Sequence, residues 1–223
     1  MRAKSSILPS GYTQYDWVQC DSTTGSPAID TGIMLSSNEL TRWTFDTDFA
    51  RCGTMPATWT RFMIFHNTNE NYDTGFGVTK IENPNNNVLT FDYANRYGGT
   101  KVQTTVISLG KWYHITLTRN EEGKRGGLLI LDDEQITGQN EKANYTNKSL
   151  YLLGSYNGKA AYYCRLARFR VYSYDELYAD LVPAKRDSDG VVGFYDVVRD
   201  IFCEPTAEGV TLIAGNGLND FTI

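Results

Sequence analysis

The stretch KWYHITLTRNEEGKRGGLLILDDEQI, residues 111–136, decides the fold. Apolar residues alternate with polar ones in its first half, and a charged segment bearing glycines separates this half from a second apolar run. Alternation is typical of strands with one packed face, and charged, glycine-bearing segments favour turns. The stretch therefore predicts two β-strands, at 111–119 and 127–136, that are joined as a hairpin.

Short strand-like runs with turn signals between them recur along the rest of the chain. We predict further strands at 14–20, 28–33, 42–50, 60–66, 75–81, 87–93, 101–107, 149–156, 165–173, 178–186, 191–198 and 200–204. Such spacing is typical of an all-β sandwich or barrel. In the run 42–50, one face is predicted to pack in the core and the other to face water. The packed face carries Trp43, Phe45, Thr47 and Phe49, and the solvent face carries Arg42, Thr44, Asp46 and Asp48.

The segment 173–176, SYDE, allows two interpretations. Ser173 followed by Glu176 matches the start of a capped helix. The strongly strand-like RFRVYS that precedes it indicates a tight turn between two strands instead. We favour the turn.

Composition excludes several classes of function. The 223 residues carry a net charge of −5, and no run of Lys and Arg offsets it locally, so a nucleic-acid partner is not expected. No apolar run reaches the length of a membrane span or of a signal peptide. The four cysteines lack C-x-x-C spacing, which argues against a thiolate metal site. Their number allows two disulfides, but in the absence of an export signal we predict half-buried thiols.

Several phrases resemble laminin-G-like, or concanavalin-A-like, jelly-roll domains of the type found in bacteriophage and gut-bacterial surface proteins. Besides the hairpin at 111–136, the phrases are LPSGY at 8–12, IDTGI at 29–33, SLYLLG at 149–154, RFRVY at 168–172, DLVPA at 180–184, DGVVGFYD at 189–196 and AGNG at 214–217. The resemblance covers about residues 7–217. It implies a two-sheet antiparallel jelly-roll sandwich.

The same resemblance implies one domain over 1–223. Within it, residues 1–7 are expected to form an N-terminal arm, and residues 178–223 a C-terminal β-extension packed on the sandwich. Two departures from the family's phrases concern turns. Asp132-Asp133 replaces the usual Asp-Gly, and Asp175-Glu176 replaces Asn-Gly, so both hairpins are expected to be looser.

No catalytic residue is predicted. Retaining glycosidases hold two carboxylates about 5–5.5 Å apart, and the chain has no E-x-D-x-E pattern to supply them. Asp46 and Asp48 are interpreted as solvated charge, as is the acidic turn 132–134. His114 is interpreted as a satisfied structural residue, and His66 has no nucleophile partner in the sequence.

Three polar and aromatic loops are the candidate ligand-binding elements, because loops on a rigid sandwich commonly bind ligands. Aromatic faces pack against sugar rings, while amides and carboxylates pair with hydroxyls. The candidates are Asn67, Asn69, Asn71, Tyr72 and Asp73; Asn95, Arg96 and Tyr97; and Tyr156 and Asn157. The first loop also has oxygen ligands that suit Ca²⁺, although no metal or cofactor is predicted.

The leading hypothesis is a non-catalytic module that binds a bacterial surface glycan from a phage particle, assembled in the host cytoplasm and displayed in many copies or as a homo-oligomer. The alternative is a structural virion component, such as a capsid decoration, head-fibre or tail protein, whose partners are other virion proteins. An exposed arm or apolar patch would favour this alternative. A third hypothesis is a lectin on the bacterial cell surface.

Overall fold

A computed structural model describes residues 6–20, 29–35, 42–52, 61–68, 75–81, 88–93, 101–106, 108–119, 127–138, 149–154, 164–206, 210 and 212–218. Within them lie the strands β1 Tyr12–Gln14, β2 Trp17–Cys20, β3 Ile29–Asp30, β4 Trp43–Arg51, β5 Arg61–Thr68, β6 Gly75–Ile81, β7 Val88–Tyr93, β8 Lys101–Val106, β9 Trp112–Arg119, β10 Gly127–Leu131, β11 Glu134–Gly138, β12 Tyr151–Leu152, β13 Cys164–Ser173, β14 Glu176–Arg186, β15 Val192–Asp196, β16 Ile201–Cys203 and β17 Leu212–Gly215.

The strands form two antiparallel sheets. The larger sheet runs in the order β11-β10-β9-β4-β13-β14-β15-β16, with β1 on β14, β2 on β13 and β17 on β2. The smaller sheet runs in the order β3-β12-β5-β6-β7-β8. Neighbouring strands such as β4 and β13 are far apart in sequence, so the sheets depend on long-range pairing. Within the described residues, no helix is long and apolar enough to span a membrane.

The core lies between the inner face of the larger sheet and residues of the smaller one. Phe45, Phe49 and Phe169 are at most 1% exposed and belong to one buried cluster with Ile29 and Leu152 of the smaller sheet. The cause is the alternation of β4, whose odd-numbered side chains are buried and whose even-numbered ones are half-buried from 43 to 48. The predicted packing of the run 42–50 is confirmed. Replacing a buried Phe by Ala typically costs about 3–5 kcal/mol.

The hairpin at 111–136 is confirmed, but its second half is not one strand. Leu131 pairs with Glu134 across a two-residue turn, so residues 127–138 form a hairpin of β10 and β11. Asp132 adopts a positive φ of 49° there, and its Oδ1 accepts a hydrogen bond from the backbone N–H of His114 at 2.9 Å. The expectation of a looser turn was wrong because the aspartate tolerates left-handed backbone and bonds locally.

Residues 173–176 form the tight turn that the sequence favoured, without the looseness expected of it. Ser173 pairs with Glu176, and Tyr174 and Asp175 both have positive φ, at 49° and 72°. Positive φ at both central positions is the geometry of a type I′ turn, which matches the twist of the flanking strands. The cross-strand register therefore imposes the turn without its preferred Asn-Gly sequence.

Several predicted strands have different bounds. The run 14–20 is two strands, because Tyr15 N–H bonds to Pro183 O and Asp16 N–H to Gly215 O, which directs β1 to β14 and β2 to β17. In the smaller sheet, 28–33 and the described part of 149–156 shorten to β3 and β12. Strand β3 ends two residues before Gly32, whose φ is 64°, and β12 ends directly before Leu153, whose φ is 53°. Strand β17 was not predicted.

All four cysteines are thiols in this structure, and their burial differs from the prediction. Cys20, Cys164 and Cys203 are buried, and Cys52 is half-buried. Burial raises the pKa of the Cys164 thiol well above its ordinary value, and it raises that of Cys203 to about 12. These two thiols are therefore protonated at neutral pH.

Candidate functional site

A row of polar side chains crosses the outer face of the larger sheet. Thr116 of β9 lies opposite Asp46 of β4, Asp46 opposite Arg170 of β13, and Arg170 opposite Asp180 of β14. Since directly opposed residues of antiparallel strands point to the same face, strands that are distant in sequence bring these groups together. We call Asp46, Asp48, His114, Thr116 and Arg170 the outer-face cluster.

His114 connects the two aspartates of β4. Its Nδ1 lies 2.9 Å from Asp48 Oδ1, and its Nε2 lies 3.2 Å from Asp46 Oδ2. Thr116 Oγ1 is within 3.3 Å of both His114 Nε2 and Asp46 Oδ2. The ring nitrogens have partners, as the sequence suggested, but the histidine side chain remains 46% exposed and is therefore a surface group. Each ring nitrogen faces an oxygen of a different aspartate.

Arg170 extends the cluster towards β14. Its Nη1 lies 3.5 Å from Asp46 Oδ1 and its Nε 3.7 Å from Asp180 Oδ1, both longer than a normal hydrogen bond. The carboxylate of Asp180, only 4% exposed, accepts hydrogen bonds from Nε and Nη2 of Arg168. That hydrogen bonding raises the pKa of Arg168 above its ordinary value. Arg170 is thus held electrostatically, and its guanidinium, 36% exposed, faces solvent with N–H donors.

Further polar contacts support the edges of the cluster. Asp132 accepts a hydrogen bond from Lys111 Nζ at 3.1 Å as well as from His114 N, which holds the β10–β11 turn against β9. The hydrogen bond that Lys111 donates to Asp132 raises the pKa of Lys111. Thr44 and Thr118 lie 3.2 Å apart through their hydroxyl oxygens, one row further along the sheet. The outer face therefore has an ordered polar surface several strands wide.

The arrangement can bind a polyhydroxylated ligand. Carboxylate oxygens accept hydrogen bonds from hydroxyl groups, and a guanidinium donates to hydroxyl oxygens in a fixed planar geometry. Asp48 is 43% exposed and Asp46 23% exposed, so their oxygens are accessible from solvent. Within the described residues, no group of three or more His, Cys, Asp or Glu side chains could hold a metal ion.

The ten predicted ligand-binding residues lie outside what the structure describes at side-chain level. Asn67 belongs to β5, where its backbone pairs with Phe76. The other nine, in the loops around 69–73, 95–97 and 156–157, fall outside the described residues. These residues stay a prediction. The sequence interpretation noticed Asp46, Asp48 and His114 but missed Arg170, although the polar residues at 168 and 170 in RFRVY signal an outward face.

A cleft lies beside β15 and β16, at one end of the larger sheet. Its volume is about 340 Å³, and it is lined by residues 189–192, by Glu204 and Pro205, and by Val210 and Leu212. Arg186 forms ion pairs with both acidic residues of the cleft. Its Nη2 lies 2.7 Å from Asp189 Oδ2 and 2.8 Å from Glu204 Oε2. Hydrogen bonding from Arg186 holds the pKa of Asp189 below its ordinary value. The acids of this cleft are therefore already neutralised from within the fold.

Solved structures with a similar fold include the laminin G domains LG4-5 of the mouse laminin α1 chain, with a TM-score of 0.50 and 12% identity. The match covers 74% of this chain but only 44% of the laminin chain. The CBM40 of the Ruminococcus gnavus IT-sialidase matches at a TM-score of 0.47 and 15% identity, over 72% of this chain and 90% of that one. The carbohydrate-binding module CBM66 from Bacillus subtilis matches at 0.40 and 11%, over 75% and 93%.

The likeness to the laminin domains, together with the two antiparallel sheets, shows the fold. The described chain is an all-β jelly-roll sandwich of the laminin G type, and the predicted fold class is confirmed. No protein-family model matches the sequence, and no curated protein matches it.

Proposed function

We propose that the protein is a non-catalytic glycan-binding module and that the outer-face cluster is its binding surface. The observation that carries the proposal is the cross-strand array of Asp46, Asp48, His114 and Arg170, whose side chains are 23–46% exposed and held in place by one another. A sugar presents several hydroxyl groups on one face, and this array offers acceptors and donors side by side.

The sheet preorganises these groups. Because the β4–β9 and β4–β13 registers set the positions of the cluster, little conformational freedom remains to be lost on binding. The affinity of one such exposed polar site is nevertheless expected to be low. Display in many copies, which we propose to occur on a phage particle assembled in the host cytoplasm, would raise the effective affinity by orders of magnitude.

The contacts of the cluster favour binding over catalysis. A glycosidase needs one carboxylate to act as an acid and another as a nucleophile or base, on the two sides of the scissile bond. In the cluster, Asp46 and Asp48 belong to the same strand and both lie against the ring of His114. Their oxygens are therefore directed to the same imidazole ring and not to opposite sides of a substrate.

The first test compares matched variants of a bead-coupled, multivalent form on a panel of bacterial surface polysaccharides. Asp48→Asn removes the carboxylate charge that faces His114. Asp189→Asn is the control, because it makes the same change outside the cluster at a carboxylate that is 44% exposed, compared with 43% for Asp48. We expect selective retention by the wild type and by Asp189→Asn, and at least a tenfold loss for Asp48→Asn.

Variants of the predicted loop residues Tyr72 and Asp73 locate the site by a second route. If they abolish retention while Asp48→Asn does not, the binding function stands and its place on the outer face is wrong. Repeating the panel with a Ca²⁺ chelator separates metal-dependent binding from direct binding. Absence of retention on every polysaccharide, with a correctly folded multivalent protein, contradicts the proposed function.

One observation favours the alternative of a structural virion component. At the β13–β14 turn, Tyr174, Leu177 and Tyr178 are 57%, 43% and 41% exposed within five residues of chain. Tyrosine is enriched in the cores of protein interfaces. Retention of capsid or tail proteins instead of polysaccharide, lost on Tyr174→Ser, would support this second function.

A further inference from the structure

Three cysteines lie together at the start of β13. Cys164, the first residue of β13, is the cross-strand partner of Cys20 in β2 on one side and of Arg51 in β4 on the other. Cys52 follows Arg51 directly. Strand pairing therefore brings together residues that are 144 and 112 positions apart in the sequence.

Cys20 and Cys164 are directly opposed across the β2–β13 pair, a placement that suits a disulfide. Directly opposed residues of an antiparallel pair have Cα atoms about 4.5–5.5 Å apart and side chains on one face. Disulfides span Cα separations of about 4.4–6.8 Å. Both cysteines are 0% exposed and belong to the same core cluster, so their thiols point into the same packed interior.

Cys52 provides access to this pair. It is half-buried, whereas its two neighbours are fully buried. Its electrostatic influence reaches Cys164, where burial is the largest cause of a raised pKa and Cys52 is the next. An oxidant in solution therefore meets the thiol of Cys52 before either of the others.

We propose that Cys20 and Cys164 form a cross-strand disulfide when the folded protein meets a low-molecular-weight disulfide such as oxidised glutathione, with Cys52 as the entry thiol. The site is independent of the proposed glycan-binding function. The disulfide would reinforce the fold covalently once the protein reaches an oxidising environment.

The chemistry is thiol–disulfide exchange and balances without another reactant. The Cys52 thiolate attacks one glutathione sulfur, forms a mixed disulfide and releases one glutathione. Cys164 then attacks the Cys52 sulfur while its proton passes to the departing glutathione sulfur, and the second glutathione leaves. Cys20 attacks the Cys164 sulfur in the same way, and its proton passes to Cys52, which returns to a thiol. In sum, two protein thiols are oxidised and one glutathione disulfide is reduced to two thiols.

The product would close a loop from residue 20 to residue 164 and join the N-terminal strand β2 to the central strand β13. A cross-link over so long a loop restricts the unfolded chain strongly, which stabilises the folded state provided that native geometry is kept. We therefore expect the oxidised protein to have a higher midpoint of thermal unfolding than the reduced protein.

The experiment incubates the folded, full-length protein with oxidised glutathione and maps its disulfides by mass spectrometry of non-reduced peptides. We expect one Cys20–Cys164 linkage, with Cys52 and Cys203 left as thiols. Cys52→Ser should slow the linkage at least tenfold without changing its identity. Cys203→Ser is the matched control, because Cys203 is 4% exposed and contacts Thr31 O at 3.8 Å, and it should react at the wild-type rate.

Three results would overturn the proposal. They are glutathione retained on Cys52 as the end product, a stable linkage that includes Cys52 or Cys203, and no linkage in a protein that stays folded. An unchanged rate in Cys52→Ser would refute the role of the entry thiol. A Cys20–Cys164 linkage that lowers the unfolding midpoint would refute the stabilising role.

Discussion

Asp196 is the residue whose loss we expect to destabilise the fold most among its charged groups. Its carboxylate is 0% exposed at the end of β15. Oδ1 accepts hydrogen bonds from the backbone N–H groups of Asp180 at 3.1 Å, Val198 at 3.0 Å and Arg199 at 3.3 Å, and Oδ2 accepts one from Arg199 Nε. Arg199 also donates to Thr31 O at 2.7 Å, which ties the β15–β16 turn to the segment after β3.

Asp196→Ala removes the acceptor and leaves these donors in a buried environment. The guanidinium of Arg199 is only 19% exposed, so water compensates it poorly. Breaking a buried ion pair by deleting one partner costs about 3–5 kcal/mol. Since domains are stable by about 5–15 kcal/mol, the variant is expected to lose a large share of its free energy of unfolding.

Urea unfolding followed by tryptophan fluorescence measures the effect. With a slope of about 2 kcal/mol per molar urea, a loss of about 4 kcal/mol lowers the midpoint by roughly 2 M. Asp189→Asn is the control, because its ion pair with Arg186 is at the surface and its loss should leave the midpoint close to that of the wild type. A midpoint for Asp196→Ala within 0.5 M of the wild type, roughly 1 kcal/mol at that slope, would show that the network contributes little.

Three further predictions concern the turn, the β2–β17 contact and the buried thiols. Replacing Tyr174-Asp175 by Asn-Gly should stabilise the protein by about 1–2 kcal/mol in the same urea assay, because the type I′ turn then carries residues suited to positive φ; a destabilised variant would contradict this. Gly215→Ala should lower the unfolding midpoint, since the added Cβ would lie 2.2 Å from the ring of Trp17, and an unchanged midpoint would mean that the ring moves freely. At pH 8 the native protein should not be alkylated at Cys203, because burial raises its pKa from the ordinary 9.0 to about 12. The thiol of Cys203 ionises at a lower pH in the unfolded chain than in the fold. The contribution of Cys203 to stability is therefore complete below pH 9 and is lost as the pH rises from 9 towards 12. Urea unfolding of the wild type and of Cys203→Ser at several pH values would reveal this loss.

Local pattern was sufficient for the strands whose faces differ in polarity. Strand β4 could be predicted because Trp43, Phe45 and Phe49 repeat with the period of two that a half-buried strand requires. The ends of strands were less predictable where pairing with distant strands determines them. The division of 14–20 into β1 and β2 follows from hydrogen bonds to Pro183 and Gly215, which no local pattern contains.

The amino-acid sequence by itself determined the all-β class, the alternation of β4 and the position of its two outward aspartates. Only the tertiary structure decided that His114 lies opposite Asp48 and that Arg170 lies opposite Asp46. It likewise brought Cys20 beside Cys164. The physical reason is that alternation is a property of one strand, whereas register depends on the packing of whole sheets. A shift of one residue would turn every side chain of a strand to the other face, so burial of the core selects the register and thereby assembles the site.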